Sequence, residues 1–274
     1  MTKPSPTISA ILVHAEPGGG ARLQAAAQLA GRLGARLIGL GAEAIHPMPV
    51  TSPYAGVNTG EWVAEMNAQV ESDLAAAQTA FESAAAGIDH EWRVRRDMPA
   101  RAMAAEARSA DLLVISATAS RDYFRAVDPG ELVLNAGRPV LLAPETDAPP
   151  QGQAIVVGWK ETRESRRAVM DALPFLKAAE QVLVVGVAED GDPGAVQSAL
   201  QDVTQFLRRQ GVAADLRLAE AGDVVEILNT AATEIGADLI VTGAYGQSRF
   251  REWIFGGVTR RLMDQPARWL LMSH

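Results

Sequence analysis

Ala237–Thr259, ADLIVTGAYGQSRFREWIFGGVT, opens on a short apolar run, Leu239-Ile240-Val241, and passes straight into glycine. An uncharged run of that length reads as a buried strand. Gly243 and Gly246 follow, then a polar and basic loop carrying Gln247, Ser248, Arg249 and Arg251. Gly256, Gly257, Val258 and Thr259 then lead into a helical pattern. A strand, a glycine-rich turn and a helix start together make an anion cradle. Without side chains the backbone N–H groups can approach a phosphate, and the first amides of a helix have no internal partner. The spacing is not the dinucleotide fingerprint G-x-G-x-x-G. It is not a P-loop either, because no Gly-Lys-Ser/Thr follows.

The rest of the chain repeats this strand-then-helix rhythm. Ile8–Val13 reads as a strand, Ala21–Leu33 as an alanine- and leucine-rich helix stopped by Gly34, and Arg36–Gly41 as a second strand. His46–Gly60 is a Pro/Gly-rich loop without periodicity, long enough to be a lid or a mobile segment. Glu61–Ala86 is a helix, His90–Val94 a strand, Pro99–Ala107 a helix and Leu112–Ile115 a strand. A helix over Glu131–Ala136 and a strand over Pro139–Leu142 close the first half. The second half runs Ala154–Val157, helix Glu164–Leu176, strand Gln181–Val187, helix Pro193–Gln210 and strand Val212–Leu218. Helix Val224–Ile235, strand Leu239–Val241, helix Thr259–Met263 and strand Arg268–Met272 complete it. Alternating βα units predict an α/β fold: two tandem doubly wound domains, each a parallel sheet with helices on both faces.

Internal offsets support a duplication. Ala110-Asp111-Leu112-Leu113-Val114 lies over Ala237-Asp238-Leu239-Ile240-Val241 at an offset of 127 residues (238 − 111), which also carries Pro139 onto Pro266. Near the starts of the halves the offset is 144 (156 − 12), because the first half holds the longer loop and helix. The expected domains are 1–146 and 152–274, joined through the Pro/Gly/Gln-rich linker Pro144–Gln153.

Gly243-x2-Gly246-x9-Gly256, continued by Gly257-Val258-Thr259, resembles the nucleotide motif of the universal stress protein family, G-x2-G-x9-G-(Ser/Thr). The order of elements is also similar to that family's fold, in two copies spanning nearly the whole chain. The resemblance implies ATP or a related adenine nucleotide, with or without magnesium, in the second domain. It puts the phosphates on Gly243, Gly246, Gln247, Ser248, Gly256, Gly257, Val258 and Thr259. Adenine and ribose fall at Gly158, Trp159 and Lys160 and by Val187. Two residues depart from the family pattern: Lys160 stands where an acidic residue is common, and Gly257 where a hydroxyl is. A lysine accepts no hydrogen bond but can meet a phosphate, and Gly257 keeps its N–H. The resemblance further implies that the halves pair through their last strands, Pro139–Leu142 against Arg268–Met272, which would cover two liable edges.

In the first half the same offset sets Ser116 and Ala119 over the leading glycines and Asp128-Pro129-Gly130 over Phe255-Gly256-Gly257. Pro129 has no N–H to offer and Asp128 would repel phosphate, so Asp128 reads as an N-cap with Pro129 at the first helical position. No nucleotide is expected there.

Composition bounds the rest. The 274 residues carry a net charge of −8, which argues against a nucleic-acid partner. There is no cysteine, which removes disulfide scaffolds and thiol catalysis and suits a reducing cytoplasm. No apolar run reaches the length of a membrane span. His14, His46, His90 and His274 lack metal-ligand spacing, and no Ser/His/Asp set suggests a nucleophile. The expectation is a cytoplasmic stress-response sensor or switch, with at most weak ATP hydrolysis. A ligand-free interaction module, its motif a relic of the fold, is the rival. Homodimerisation of whole chains and the identity of a protein partner stay open.

Overall fold

A computed structural model describes residues 7–46, 59–116, 122–188, 192–219, 221–246, 257–264 and 266–274. In the first half these form β1 (Ala10–Ala15), α1 (Gly20–Leu33), β2 (Arg36–Ala42), α2 (Thr59–Ala84), β3 (His90–Arg95), α3 (Pro99–Glu106), β4 (Leu112–Ser116), α4 (Pro129–Asn135) and β5 (Val140–Ala143). The second half holds β6 (Ala154–Trp159), α5 (Arg163–Asp171), α6 (Leu173–Ala178), β7 (Gln181–Val187), α7 (Pro193–Arg209) and β8 (Ala214–Ala219). It ends with α8 (Val224–Glu234), β9 (Leu239–Gly243), α9 (Gly257–Met263) and β10 (Trp269–Ser273).

All ten strands join one sheet in the order β3-β2-β1-β4-β5-β10-β9-β6-β7-β8. Each half is a parallel five-stranded unit whose order reverses between its first and fourth strands. The halves meet antiparallel at β5 and β10, with Leu142 opposite Leu270 and Val140 opposite Met272. The expected seam is therefore present. Because the halves run in opposite senses, their strand carboxyl ends lie along opposite edges of the sheet.

The strands are apolar on both sides because both faces are covered. One face packs α1, α2, α5, α6 and α7 through residues such as Leu23, Phe81, Val169 and Leu207. The other packs α3, α4, α8 and α9 through Met103, Leu132, Leu228 and Leu262. Helix starts are set by short polar side chains. Asp128 accepts from the Glu131 amide at 2.7 Å, Thr162 from Ser165, Asp192 from Gly194 and Asp223 from Val225 and Glu226. Asp128 thus caps α4 with Pro129 at its first position, as its sequence implied. Gly34 ends α1 in the left-handed region, at φ 64°.

Equivalent residues of the two halves do equivalent work. Asp111 accepts from the amides of Ser9 and Ala10, at 2.8 and 3.1 Å, and pins the start of β1. Asp238 accepts from the amides of Gln151 and Gly152 and pins the approach to β6. One expected element is corrected: the helix placed over Glu164–Leu176 is two, broken at Ala172. Pro174, the second residue of α6, has no N–H to continue the α5 ladder.

Candidate functional site

Ligands of open α/β sheets collect beyond the strand carboxyl ends, where the strand order reverses. In the second half that point lies between β6 and β9. Gly158 and Trp159 end β6, exposed Lys160 follows, and Val187 ends the neighbouring β7. Gly243 ends β9, and exposed Gly246 lies three residues on. Gly257 and Val258 open α9 and are exposed. Thr259 is buried, and its hydroxyl accepts from the Tyr245 amide at 3.4 Å. Gln247, Ser248, Gly256, Arg249 and Arg251 lie outside the described residues, as does most of the His46–Gly60 loop.

The structure brings together the ends of β6, β9 and α9, but it gives the leading glycines a use that the sequence did not show. A Cβ on Gly243 would lie 2.5 Å from the Ser165 amide nitrogen and 2.9 Å from the Glu164 Cβ. A Cβ on Gly246 would meet Thr162 Cγ2 at 2.9 Å. Both glycines are small because the first turn of α5 is pressed on them. A Cβ on Gly257, by contrast, would meet no atom of the described residues within 4 Å.

Thr162, Glu164 and Ser165 therefore belong to the site, and sequence reasoning missed them. Their signal was local: a Thr-x-x-Ser start after a strand, with an acidic residue in the first turn. Ser165 Oγ also accepts from the Lys160 amide at 3.3 Å. Glu164 is 2% exposed; one carboxylate oxygen accepts from Arg163, and the other, Oε2, is buried without a hydrogen-bond partner. Burial pushes its pKa up. Hydrogen bonds from Arg163, from the backbone and from the Thr162 side chain outweigh that and hold the carboxyl below its usual range. Arg163 also reaches His274 at 3.1 Å, and His274 Nδ1 pairs with the Ala244 carbonyl at 3.0 Å. The end of the chain thus ties α5 to the residue after β9.

Beyond the strand ends of the first half, the described side chains pair with one another. Arg125 spans from Glu43, at 2.8 Å, to Asp73 on α2, at 2.7 Å. The Phe124 carbonyl accepts from the Ala44 amide just beyond β2, and His46 stacks on the Phe124 ring at 4.5 Å. His14, at the end of β1, is 1% exposed and its pKa is lowered to about 4, chiefly by burial. Among the described residues no group of three metal-ligating side chains converges, and no helix is long and apolar enough to cross a membrane.

A doubly wound sheet with glycines at the end of β9 and the start of α9, at its switch point, defines the class. Residues 152–266 match the universal stress protein family model. Both halves share the fold of universal stress proteins. A universal stress protein from Archaeoglobus fulgidus superposes with a TM-score of 0.68 at 15% identity, over 96% of this chain and 97% of its own. A functionally unknown protein from Pseudomonas aeruginosa gives a TM-score of 0.55 at 14% identity, over 97% and 92%. No curated protein matches the sequence significantly.

Proposed function

We propose that this protein acts in the stress response by binding an adenine nucleotide, ATP foremost, in a second domain of residues 152–274, with 1–146 a degenerate partner domain. The observation that carries this reading is Glu164 Oε2, a buried carboxylate oxygen lacking a donor beside Gly243 at the switch point. Such an oxygen is costly to leave unpaired, and a ribose hydroxyl is a donor of the right kind. In this reading Glu164 supplies the acceptor that Lys160, standing in the usual acidic position, cannot. The phosphates lie toward Lys160, Gly246, Gly257 and Val258, which are exposed. They do not lie at Gly243, where α5 stands. Occupancy at Glu164 then requires the first turn of α5 to draw back from Gly243, which makes that turn the moving part of a sensor.

The close packing of α5 on both glycines favours a second reading, an interaction module whose motif now serves packing alone. A ligand of the native state raises the melting temperature by mass action, by about 3 kcal/mol of stability at a hundredfold excess over Kd. Melting with and without saturating ATP, ADP or AMP, each with and without magnesium, separates the two. A dose-dependent rise supports the nucleotide reading, and flat curves for all three support the module.

A further inference from the structure

On the face of the sheet that carries α1, α2, α5, α6 and α7, the halves differ in one respect. In the first half α1 packs against α2, and Phe81 of α2 covers Gly39 of β2 so closely that a Cβ there would meet its ring at 2.6 Å. In the second half α5 packs chiefly on β9 and β10, and α7 on β8 and β7. The two helices diverge and leave a pocket of about 720 Å³ between them.

Strand register explains the divergence. Ala15 lies beside Gly41 in the first half, and Trp159 beside Gly186 in the second, so an indole replaces a methyl at the same place in the sheet. A side chain of that size over the end of β6 occupies the space a neighbouring helix would otherwise fill.

We propose that this pocket, on the α5–α7 face of the sheet and sharing only Trp159 with the β6–β9 crevice, binds a small, neutral, mainly apolar ring compound carrying a hydrogen-bond acceptor. Trp159 lines it and is only 9% exposed, yet its indole Nε1 is buried with no hydrogen-bond partner among the described residues. Buried indole N–H groups normally find an acceptor, and a ligand carbonyl would be one. Val169, Met170, Val203 and Phe206 supply apolar walls, and Met170 is 47% exposed at the pocket. The volume falls in the range of small-molecule pockets and is far below that of a protein interface. Charge selects further: Glu161 is paired with Arg166 at the wall, and Asp202 adds a second carboxylate, so an anion is disfavoured.

The test uses prodan, a neutral naphthalene ketone whose emission shifts to the blue on leaving water. Titrated into the full chain, it should bind saturably at one site per chain. Met170→Glu, a change at an exposed position, should weaken binding by about tenfold or more with an unchanged melting temperature. Trp159→Phe keeps an aromatic ring but removes the N–H, and should weaken binding by about threefold to tenfold. Saturating ATP should leave the titration unaltered. Non-saturable binding, indifference to both substitutions, or displacement of prodan by ATP would each overturn the proposal. The saturation and substitution outcomes do not depend on whether ATP binds.

Discussion

The hydroxyl of Tyr245 sits against Gly130, so close that a Cβ on Gly130 would lie 2.6 Å from its oxygen. Tyr245 stands between the two leading glycines of the motif in the second half, and Gly130 is in the first turn of α4 in the first half. The contact crosses the seam and joins the candidate site to the other domain. Tyr245 holds it from a left-handed backbone, φ 57°, a conformation that costs about 1–2 kcal/mol for a non-glycine residue.

Gly→Ala within a helix ordinarily stabilises, by about 1 kcal/mol. Gly130→Ala should do the reverse and destabilise by about 1–3 kcal/mol, because the tyrosine must move. With Tyr245→Phe the nearest ring carbon stands 3.7 Å away, leaving Asp128 Oδ1 at 3.2 Å as the closest atom. In that background the cost should largely vanish. A urea-denaturation double-mutant cycle reads the coupling, and independent effects would show that the contact is not formed.

His14 predicts a loss of stability in acid. Burial lowers its pKa from 6.5 to about 4, so between those values the unfolded chain binds more protons than the folded one. Stability therefore falls as pH drops through that window. The full shift corresponds to about 3 kcal/mol, complete below pH 4. His14→Gln should flatten the stability–pH curve between 6.5 and 4 relative to the native protein. Parallel curves would refute the assignment.

Arg125 stands between Glu43, 3% exposed at its side chain, and Asp73, 13% exposed. Removing it with Arg125→Met leaves carboxylates buried without their cation, at a cost of about 3 kcal/mol near neutrality. Burial already raises the pKa of Glu43, and Arg125 opposes the rise. In the variant that pKa climbs further, so stability declines as pH rises through it and the penalty shrinks in acid. Urea midpoints at pH 5 and pH 8 should therefore lie farther apart from the native values at pH 8. An equal deficit at both would contradict this account.

The fold was legible in the sequence because burial on both faces leaves unbroken apolar runs, and because Asp111 and Asp238 recur before equivalent strands. The seam, expected at Pro139–Leu142 and Arg268–Met272 from the family resemblance, lies at Val140–Ala143 and Trp269–Ser273. The break at Ala172 was less visible, since α5 and α6 share one apolar periodicity and only Pro174 marks the boundary. In the candidate site the glycines were found but their neighbour was not. Gly243 and Gly246 mark close approach of some backbone or ligand, and a linear sequence does not say which. Arg125 gave no local signal at all: its partners lie 82 residues away at Glu43 and on the far helix at Asp73. The pocket beside Trp159 arises from the difference between Ala15 and Trp159 at equivalent positions, which only strand register reveals.

The central claim is that a polyphosphate meets exposed backbone where α9 begins. Gly257→Asp probes it, because a Cβ there meets no atom of the described residues within 4 Å, whereas one at Gly246 would also strain Thr162. The decisive measurement is isothermal titration of ATP, with magnesium, into the native protein and this variant. The account predicts saturation at one nucleotide per chain, lost or weakened at least about tenfold in Gly257→Asp by charge repulsion, with an unchanged melt of the unliganded protein. No heat from the native protein, or the same affinity in the variant, would contradict it.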